Sequence, residues 1–126
     1  MKIISLILAL LLLSGCGAGA EELQYQQITQ DEALSLMESE SDYIILDVRT
    51  PGEYAEGHIK GAINIPNETI GGAEIPELPN KDQLILVYCR SGNRSKQASQ
   101  KLADLGYTMI KEFGGINSWQ GEIVID

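Results

Sequence analysis

The chain has 126 residues, of which 44% are hydrophobic and 21% are charged. A chain of this length accommodates one domain with one modest core, and its composition is that of a folded protein rather than a disordered one. Acidic residues number 18 against 9 basic ones, which gives a formal net charge of −9. This charge opposes nonspecific attraction to nucleic acid or to anionic lipid headgroups, so we exclude nucleic acid as a partner.

The N-terminal segment has the pattern of an export signal. Lys2 precedes an apolar stretch over residues 3–13, which is too short to span a bilayer and is typical of a signal peptide. The sequence Leu13-Ser14-Gly15-Cys16 follows and resembles the lipobox of bacterial lipoproteins. The resemblance implies that residues 1–15 are removed and that Cys16 becomes a lipidated N-terminus. The alternative is an ordinary secretory signal in which Cys16 is incidental.

Lipidation of Cys16 predicts an exported protein that is anchored to a bacterial membrane, with its domain in the periplasm or outside the cell. Residues 16–24 are then a lipidated tether, and residues 25–126 form the domain. Because the chain has two cysteines, Cys89 is the free thiol that remains, and no internal disulfide is possible. A lone thiol outside the cytoplasm is exposed to oxidation, which suggests that it has a function.

Hydrophobic periodicity predicts alternating strands and helices along the domain. Residues 24–28 are a short first strand, and Thr29 to Glu32 form a capping box that opens a helix ending near Ser39. Residues 43–48 and 84–88 are nearly continuous apolar runs, which are typical of central strands buried on both faces. Two further strands are predicted at residues 62–65 and 109–113, and a helix over residues 94–105 is capped by Gly106.

The order of these elements predicts the α/β class, with a mostly parallel central sheet of about five strands flanked by helices. In such sheets, ligands bind beyond the carboxyl ends of the strands, and Cys89 lies directly after one of them. Residues 67–80 contain two prolines, two glycines and three glutamates. We expect them to form an exposed acidic connection rather than a site.

The segment that begins at Cys89 carries the strongest chemical signal. Arg90 to Ser95 connect a strand to the start of the predicted helix, where unpaired backbone amides and the helix dipole stabilise an anion. Arg90 and Arg94 add positive charge, and Gly92 lets the loop curl tightly. This pattern favours a thiol that ionises easily and a loop that binds an anion. The alternative is a buried structural cysteine at the end of a core strand.

Four segments resemble motifs of the rhodanese family of sulfurtransferases. The loop Cys89-Arg90-Ser91-Gly92-Asn93-Arg94 is similar to the family's C-R-x-G-x-R. Residues 47–54 (DVRTPGEY) and 57–62 (GHIKGA) resemble the family's D-V-R-x-x-x-E followed by F or Y, and its G-H-I-x-G-A. Residues 114–119 (GGINSW) resemble its G-G-x-x-x-W. The match covers roughly residues 25–121, in the order that the family has them.

The resemblance implies a rhodanese-like domain in which Cys89 accepts a sulfane sulfur as a persulfide. Thiosulfate or another small anionic donor supplies the sulfur, and a thiophilic acceptor such as cyanide, a thiol or a protein takes it. The substrate-binding loop consists of Arg90, Ser91, Gly92, Asn93, Arg94 and Ser95. No metal or organic cofactor is needed, and one histidine with one free cysteine could not form an ordinary zinc site. We expect a monomer.

The remaining signature residues are interpreted as scaffold. Asp47, Arg49 and Glu53 are expected to form a charge network beside the loop. His58 is expected to lie in a structural turn, and Trp119 to fill part of the core. A general-base role for His58 and a substrate platform at Trp119 are the alternatives.

Three other functions compete with a thiosulfate enzyme. Related phosphatases and arsenate reductases use a longer loop of the form C-x5-R, whereas four residues separate Cys89 from Arg94, which disfavours that chemistry. A noncatalytic binding module is the second alternative, although such rhodanese-like domains often lack the cysteine. A persulfide carrier that serves a protein partner shares the chemistry and differs only in the acceptor.

Overall fold

A parallel sheet organises the computed structural model, which describes residues 23–126. The strands in chain order are β1 (Gln26–Gln27), β2 (Tyr43–Asp47), β3 (His58–Ile59), β4 (Ile63–Asn64), β5 (Leu84–Cys89), β6 (Met109–Gly115) and β7 (Ile123–Val124). Five of them form the sheet in the order β1-β6-β5-β2-β4, and each neighbouring pair is parallel. Strands β3 and β7 form a separate antiparallel pair. The predicted α/β fold with a parallel five-stranded sheet is confirmed.

The predicted leader of residues 1–15 and Cys16 lie outside the described residues, as does most of the predicted tether. Between residues 23 and 126, no helix has the length and the apolar character needed to cross a bilayer. Export and lipid anchoring therefore stay predictions.

The helices are α1 (Gln30–Ser39), α2 (Pro51–Glu56) and α3 (Asn93–Asp104). The capping box of α1 is present as predicted, because the Glu32 amide donates to Thr29 Oγ1 and the Thr29 amide donates to the Glu32 carboxylate. Helix α3 ends at Asp104 with Leu105 as its C-cap, and Gly106 follows with a φ of 98°, a conformation that suits glycine. The Tyr107 amide then donates to the carbonyl of Leu102, which closes the last turn and confirms the predicted cap.

Helix α2 is absent from the sequence prediction. Thr50 and Glu53 form a second capping box, and Pro51 occupies the first helical position. The helix has six residues, and none of its side chains is fully buried. Its hydrophobic periodicity was therefore too short to detect, and the cap was the available signal.

The core has two parts, one on each face of the sheet. Ile85 and Val87 of β5 pack with Leu102 of α3, whereas Leu86, between them in the sequence, packs with Ala33 of α1. This alternation arises because successive side chains of a strand point to opposite faces. The two central apolar strands are therefore covered on both sides, as their sequences predict.

The prediction that residues 67–80 form an exposed connection is wrong in part. Its glutamates are exposed, but Asn67, Ile70, Ile75 and Leu78 are buried. The apolar side chains of this connection join the core on the α3 face of the sheet. The buried positions were not predicted because these apolar residues are spaced irregularly and fit neither a helical nor a strand period.

Candidate active site

Cys89 ends strand β5 at the carboxyl edge of the sheet, where the α/β fold predicts ligand binding. The residue is 1% exposed. Its Sγ atom accepts a hydrogen bond from the Gly92 amide at 3.0 Å and lies 3.4 Å from Ser95 Oγ. The chain thus curls around the sulfur and aims a backbone donor at it, which favours negative charge there.

Two glycines set the shape of the loop. Gly92 has a φ of 108°, a conformation that other residues rarely adopt. Gly115, the strand partner of Cys89, packs so closely that a Cβ atom would lie 2.1 Å from the Arg90 carbonyl oxygen. The Asn117 amide donates to that same oxygen at 3.2 Å. The paired glycines at 114 and 115 therefore let the backbone after β6 support the loop.

The loop leads directly into α3. Gly92 is the N-cap of this helix and supplies no side-chain cap, so the first-turn amides keep their capacity to bind an anion. Gly92 and Ser95 are buried, and Arg94 is partly buried. The predicted substrate-binding residues that face solvent are Arg90, Ser91 and Asn93. Of the predicted substrate-binding residues, Gly92 and Ser95 contact the Cys89 sulfur directly.

Arg94 forms a bidentate ion pair with Glu53 of α2. The Arg94 nitrogens donate to the two carboxylate oxygens at 2.6 and 2.9 Å. The Arg94 hydrogen bond lowers the pKa of the Glu53 carboxyl from 4.5 to about 2, and the Glu53 hydrogen bond raises the pKa of Arg94. The guanidinium is thus held beside the loop by a scaffold residue.

Asp47, Arg49 and Tyr88 form a second charged cluster. Asp47 accepts hydrogen bonds from the Arg49 guanidinium at 2.7 Å and from the Tyr88 hydroxyl at 2.7 Å. Burial, together with the bond to Asp47, raises the pKa of Tyr88. The sequence predicted one charge network of Asp47, Arg49 and Glu53. The structure has two separate ion pairs, because Glu53 binds Arg94 rather than Arg49.

His58 and Trp119 occupy structural positions. His58 is buried in β3, its ring stacks on Tyr54 with centroids 3.7 Å apart, and its Nε2 lies 2.8 Å from the Asp126 carboxylate. Trp119 is partly buried against the core on the α1 face, 5.4 Å from the ring of Phe113. These contacts suit the scaffold roles predicted from the sequence.

Glu112 is a polar residue near the site that the sequence interpretation missed. It is 3% exposed in β6, and its Oε1 accepts hydrogen bonds from Ser95 Oγ at 2.7 Å and from the Gly114 amide at 2.8 Å. A signal was available, because neighbouring residues of a strand face opposite sides. In an inner strand, the consecutive charges of Lys111 and Glu112 must place one of them on a covered face.

Metal ligands do not cluster in the described part of the chain: between residues 23 and 126, no group of three or more His, Cys, Asp or Glu side chains could hold an ion. The groups that the site offers for chemistry include the Cys89 thiol, the Gly92 backbone amide and the Arg94 guanidinium.

This arrangement of a strand-end cysteine, a curled loop and a helix N-terminus is accompanied by clear similarity to known proteins. The profile of the rhodanese-like domain matches residues 29–122, and the chain belongs to this family. The thiosulfate sulfurtransferase PspE of Escherichia coli strain K12 is 38% identical over 71 residues, which are 56% of this chain and 68% of that protein. A sulfurtransferase of Allochromatium vinosum is 40% identical over 79 residues, which are 62% of this chain and 72% of that protein.

A solved structure agrees with these relatives. A rhodanese with anions from Escherichia coli aligns with a TM-score of 0.61 and 33% identity, covering 67% of this chain and 99% of that one. The relatives support sulfur transfer as the class of reaction, and we assign the chain to the sulfurtransferases on this basis.

Proposed function

We propose that the chain carries sulfur as a persulfide on Cys89, taking it from thiosulfate or another sulfane donor and passing it to cyanide or a thiol. The observation that carries the proposal is the position of the Cys89 sulfur, which receives the Gly92 amide at 3.0 Å where β5 meets the start of α3. A backbone donor at this distance stabilises a thiolate or persulfide anion more than a neutral thiol.

The reaction has two steps that balance without a cofactor. In the first, the Cys89 thiolate attacks the outer sulfur of thiosulfate, a new S–S bond forms, and sulfite leaves with the electron pair of the broken S–S bond. In the second, cyanide or a thiolate attacks the outer sulfur of the persulfide, and the Cys89 thiolate leaves. The enzyme form alternates between free and sulfur-loaded, so ping-pong kinetics follow.

Anion recognition is proposed for the exposed side of the loop. Arg90, Ser91 and Asn93 face solvent there, next to the uncapped amides of α3. Arg90 supplies a positive charge in a chain whose formal net charge is −9, which makes this surface a favourable place for a small anion. The positive charge of Arg94, which Glu53 holds in place, also acts on the Cys89 sulfur.

The test is sulfur loading followed by turnover. Incubation of the protein with thiosulfate is expected to add the mass of one sulfur atom to Cys89, seen by intact mass spectrometry, and added cyanide is expected to remove it as thiocyanate. Cys89→Ala does neither, because the attacking sulfur is gone. Cys16→Ala serves as the matched control and keeps both properties. Equal sulfur loading of the Cys89→Ala variant and the parent protein would contradict the proposal.

We also propose that the protein is an exported lipoprotein anchored through Cys16. The proposal is supported by the apolar stretch of residues 3–13 and by the lipobox-like Leu13-Ser14-Gly15-Cys16. Cells that express the chain with a radiolabelled fatty acid are expected to label it and to retain it in the membrane fraction. Cys16→Ser is expected to lose the label, since the acyl chains attach at the cysteine. A label that persists in this variant refutes the anchor.

A further inference from the structure

A buried carboxyl group that the proposed sulfur transfer does not use lies directly beneath the loop. Glu112 projects from β6 and is 3% exposed. Its Oε1 accepts the Gly114 amide at 2.8 Å and the Ser95 hydroxyl at 2.7 Å. Burial of an acidic side chain is unfavourable unless hydrogen bonds compensate for it, and here one of those bonds is to Ser95, which also contacts Cys89.

Ser95 links this carboxyl group to the sulfur. Its Oγ has one proton to donate and lies 2.7 Å from Glu112 Oε1, 2.9 Å from the Gly92 carbonyl oxygen and 3.4 Å from Cys89 Sγ. The contact with Glu112 is the shortest of the three. A hydroxyl that donates to Glu112 keeps its lone pairs free to accept the Cys89 thiol proton, which gives a continuous chain from sulfur to carboxylate.

We propose that Cys89 and Glu112 share one proton through Ser95, with Glu112 as the group that receives it when the thiolate forms. The Cys89 S–H bond breaks and its proton moves to Ser95 Oγ, while the Ser95 proton moves to Glu112 Oε1. A thiol and a carboxylate become a thiolate and a carboxylic acid, and the total charge is unchanged. Glu112 acts through Ser95 and is therefore a positioning residue; its part in turnover rests on the proposed function.

Burial explains why such a path is useful. Cys89 is 1% exposed and Ser95 is fully buried, so bulk water has little access to either group. Two adjacent anions in a weakly screened interior repel each other strongly. One proton held between the two ends of the hydrogen-bonded chain leaves the pair with a single negative charge, which avoids this repulsion.

The surrounding charges do not replace Glu112 in this role. The charged side chains on and around the loop include Arg94 on α3, Glu53 on α2, Arg90 on the loop, Asp47 and Arg49 at the end of β2, and Lys111 on β6. Two pairs among them are mutually compensated, Arg94 with Glu53 and Arg49 with Asp47. Arg90 is exposed, and Lys111 binds Gln26 on the other side of its strand. Glu112 is the acidic group bonded to Ser95 within residues 23–126.

The test follows both ends of the proton path by infrared spectroscopy as the pH is varied. The purified full-length chain is measured against its Cys89→Ser variant, so that the difference isolates the S–H band of Cys89 from that of Cys16. If Cys89 and Glu112 share one proton, the S–H band is expected to disappear in two steps as the pH rises. The first step is expected to coincide with a change in the carboxyl signal. A carboxylic acid band that persists after the first loss of S–H intensity, and that is absent from Glu112→Gln, identifies Glu112 as the group that holds the remaining proton.

Glu112→Gln and Ser95→Ala interrupt the path at different points. Each substitution is expected to reduce the two steps of S–H loss to one. The double variant is expected to match the single variants, because either substitution alone already interrupts the hydrogen-bonded chain. Ser95→Thr keeps a hydroxyl and is expected to retain two steps. Ser99→Ala is the matched control, since Ser99 is also fully buried on α3, one turn further along. Thermal unfolding of each variant separates loss of the path from loss of the fold.

The outcomes separate this inference from the proposed sulfur transfer. A single S–H step in the parent protein, unchanged by Glu112→Gln, overturns the shared proton even if Cys89 loads sulfur. Two coupled steps in a protein that gains no sulfur from thiosulfate would support the shared proton and contradict the proposed function. For an active protein, kcat/KM for thiosulfate is expected to fall more in Glu112→Gln on the acid side of its pH profile than on the alkaline side.

Discussion

Two ion pairs of similar chemistry stand near the loop and differ in their surroundings. Asp47 and Arg49 lie at the end of β2 with side chains 0% and 7% exposed, and the Tyr88 hydroxyl and the Gly57 carbonyl complete their hydrogen bonds. Glu53 and Arg94 have side chains 22% and 27% exposed. The first pair joins β2, β5 and the turn after α2, whereas the second joins α2 to the first turn of α3.

The difference in burial separates a structural role from a positioning role. We call Asp47–Arg49 the inner pair and Glu53–Arg94 the outer pair. Buried charges are tolerated when their partners are in place, so removing one partner of the inner pair leaves an uncompensated charge. Water can replace a lost partner in the outer pair, so its loss is expected to alter the placement of Arg94 more than the stability of the fold. Asp47, Arg49 and Glu53 all lie within residues 47–54, yet Glu53 belongs to a different pair from the other two, so proximity in sequence does not imply a shared role.

The largest effect is expected at the inner pair. Asp47→Asn removes the negative charge but preserves the shape, and it leaves the buried Arg49 guanidinium without its counterion. We expect the free energy of unfolding to fall by about 3–5 kcal/mol. Urea unfolding followed by circular dichroism measures this loss.

The outer pair and an exposed acid supply the controls for that measurement. Glu53→Gln is expected to lose about 1 kcal/mol or less, as exposed pairs do. Asp104→Asn, on an exposed side chain at the end of α3, is expected to change stability by no more than about 0.5 kcal/mol. If Asp47→Asn were no more harmful than Glu53→Gln, the division between inner and outer pairs would be wrong.

Much of the fold follows from local sequence signals. The apolar runs at residues 43–48 and 84–88 predict the central strands because strands covered on both faces leave little room for polar residues. The Thr29 capping box and Gly106 give the ends of two helices to within a residue or so. The antiparallel pairing of β3 with β7 could not be predicted this way. Two-residue strands have no period, and their pairing depends on contacts across the whole chain.

The candidate site was predictable where it is local in sequence. Cys89 and the loop up to Ser95 are contiguous, so the strand, the loop and the helix start could be placed from the residues alone. The partners that act across the fold were not. Glu53 binds a residue 41 positions away, and Glu112 binds one 17 positions away. Such pairs are set by how α2, α3 and β6 pack together, which periodicity does not report.

The smallest effect is expected at acid pH, where it distinguishes the outer pair most directly. The Arg94 hydrogen bond lowers the pKa of Glu53 to about 2 from its ordinary 4.5. A carboxyl group whose pKa is lower in the folded state stabilises the fold above pH 4.5 and loses that contribution as the pH falls towards 2. The parent protein and Glu53→Gln should therefore differ by about 1 kcal/mol at neutral pH and converge in acid.

The measurement is the free energy of unfolding of both proteins across this pH range, at low and at high salt. Added salt is expected to shrink the neutral-pH difference, because partly exposed charges are screened. A difference that persisted well below pH 2 would mean that the glutamine acts through packing, since Glu53 is then protonated and as uncharged as its replacement. The ionised carboxylate would then not be what holds Arg94 beside the loop, and the outer pair would join the inner one as scaffold.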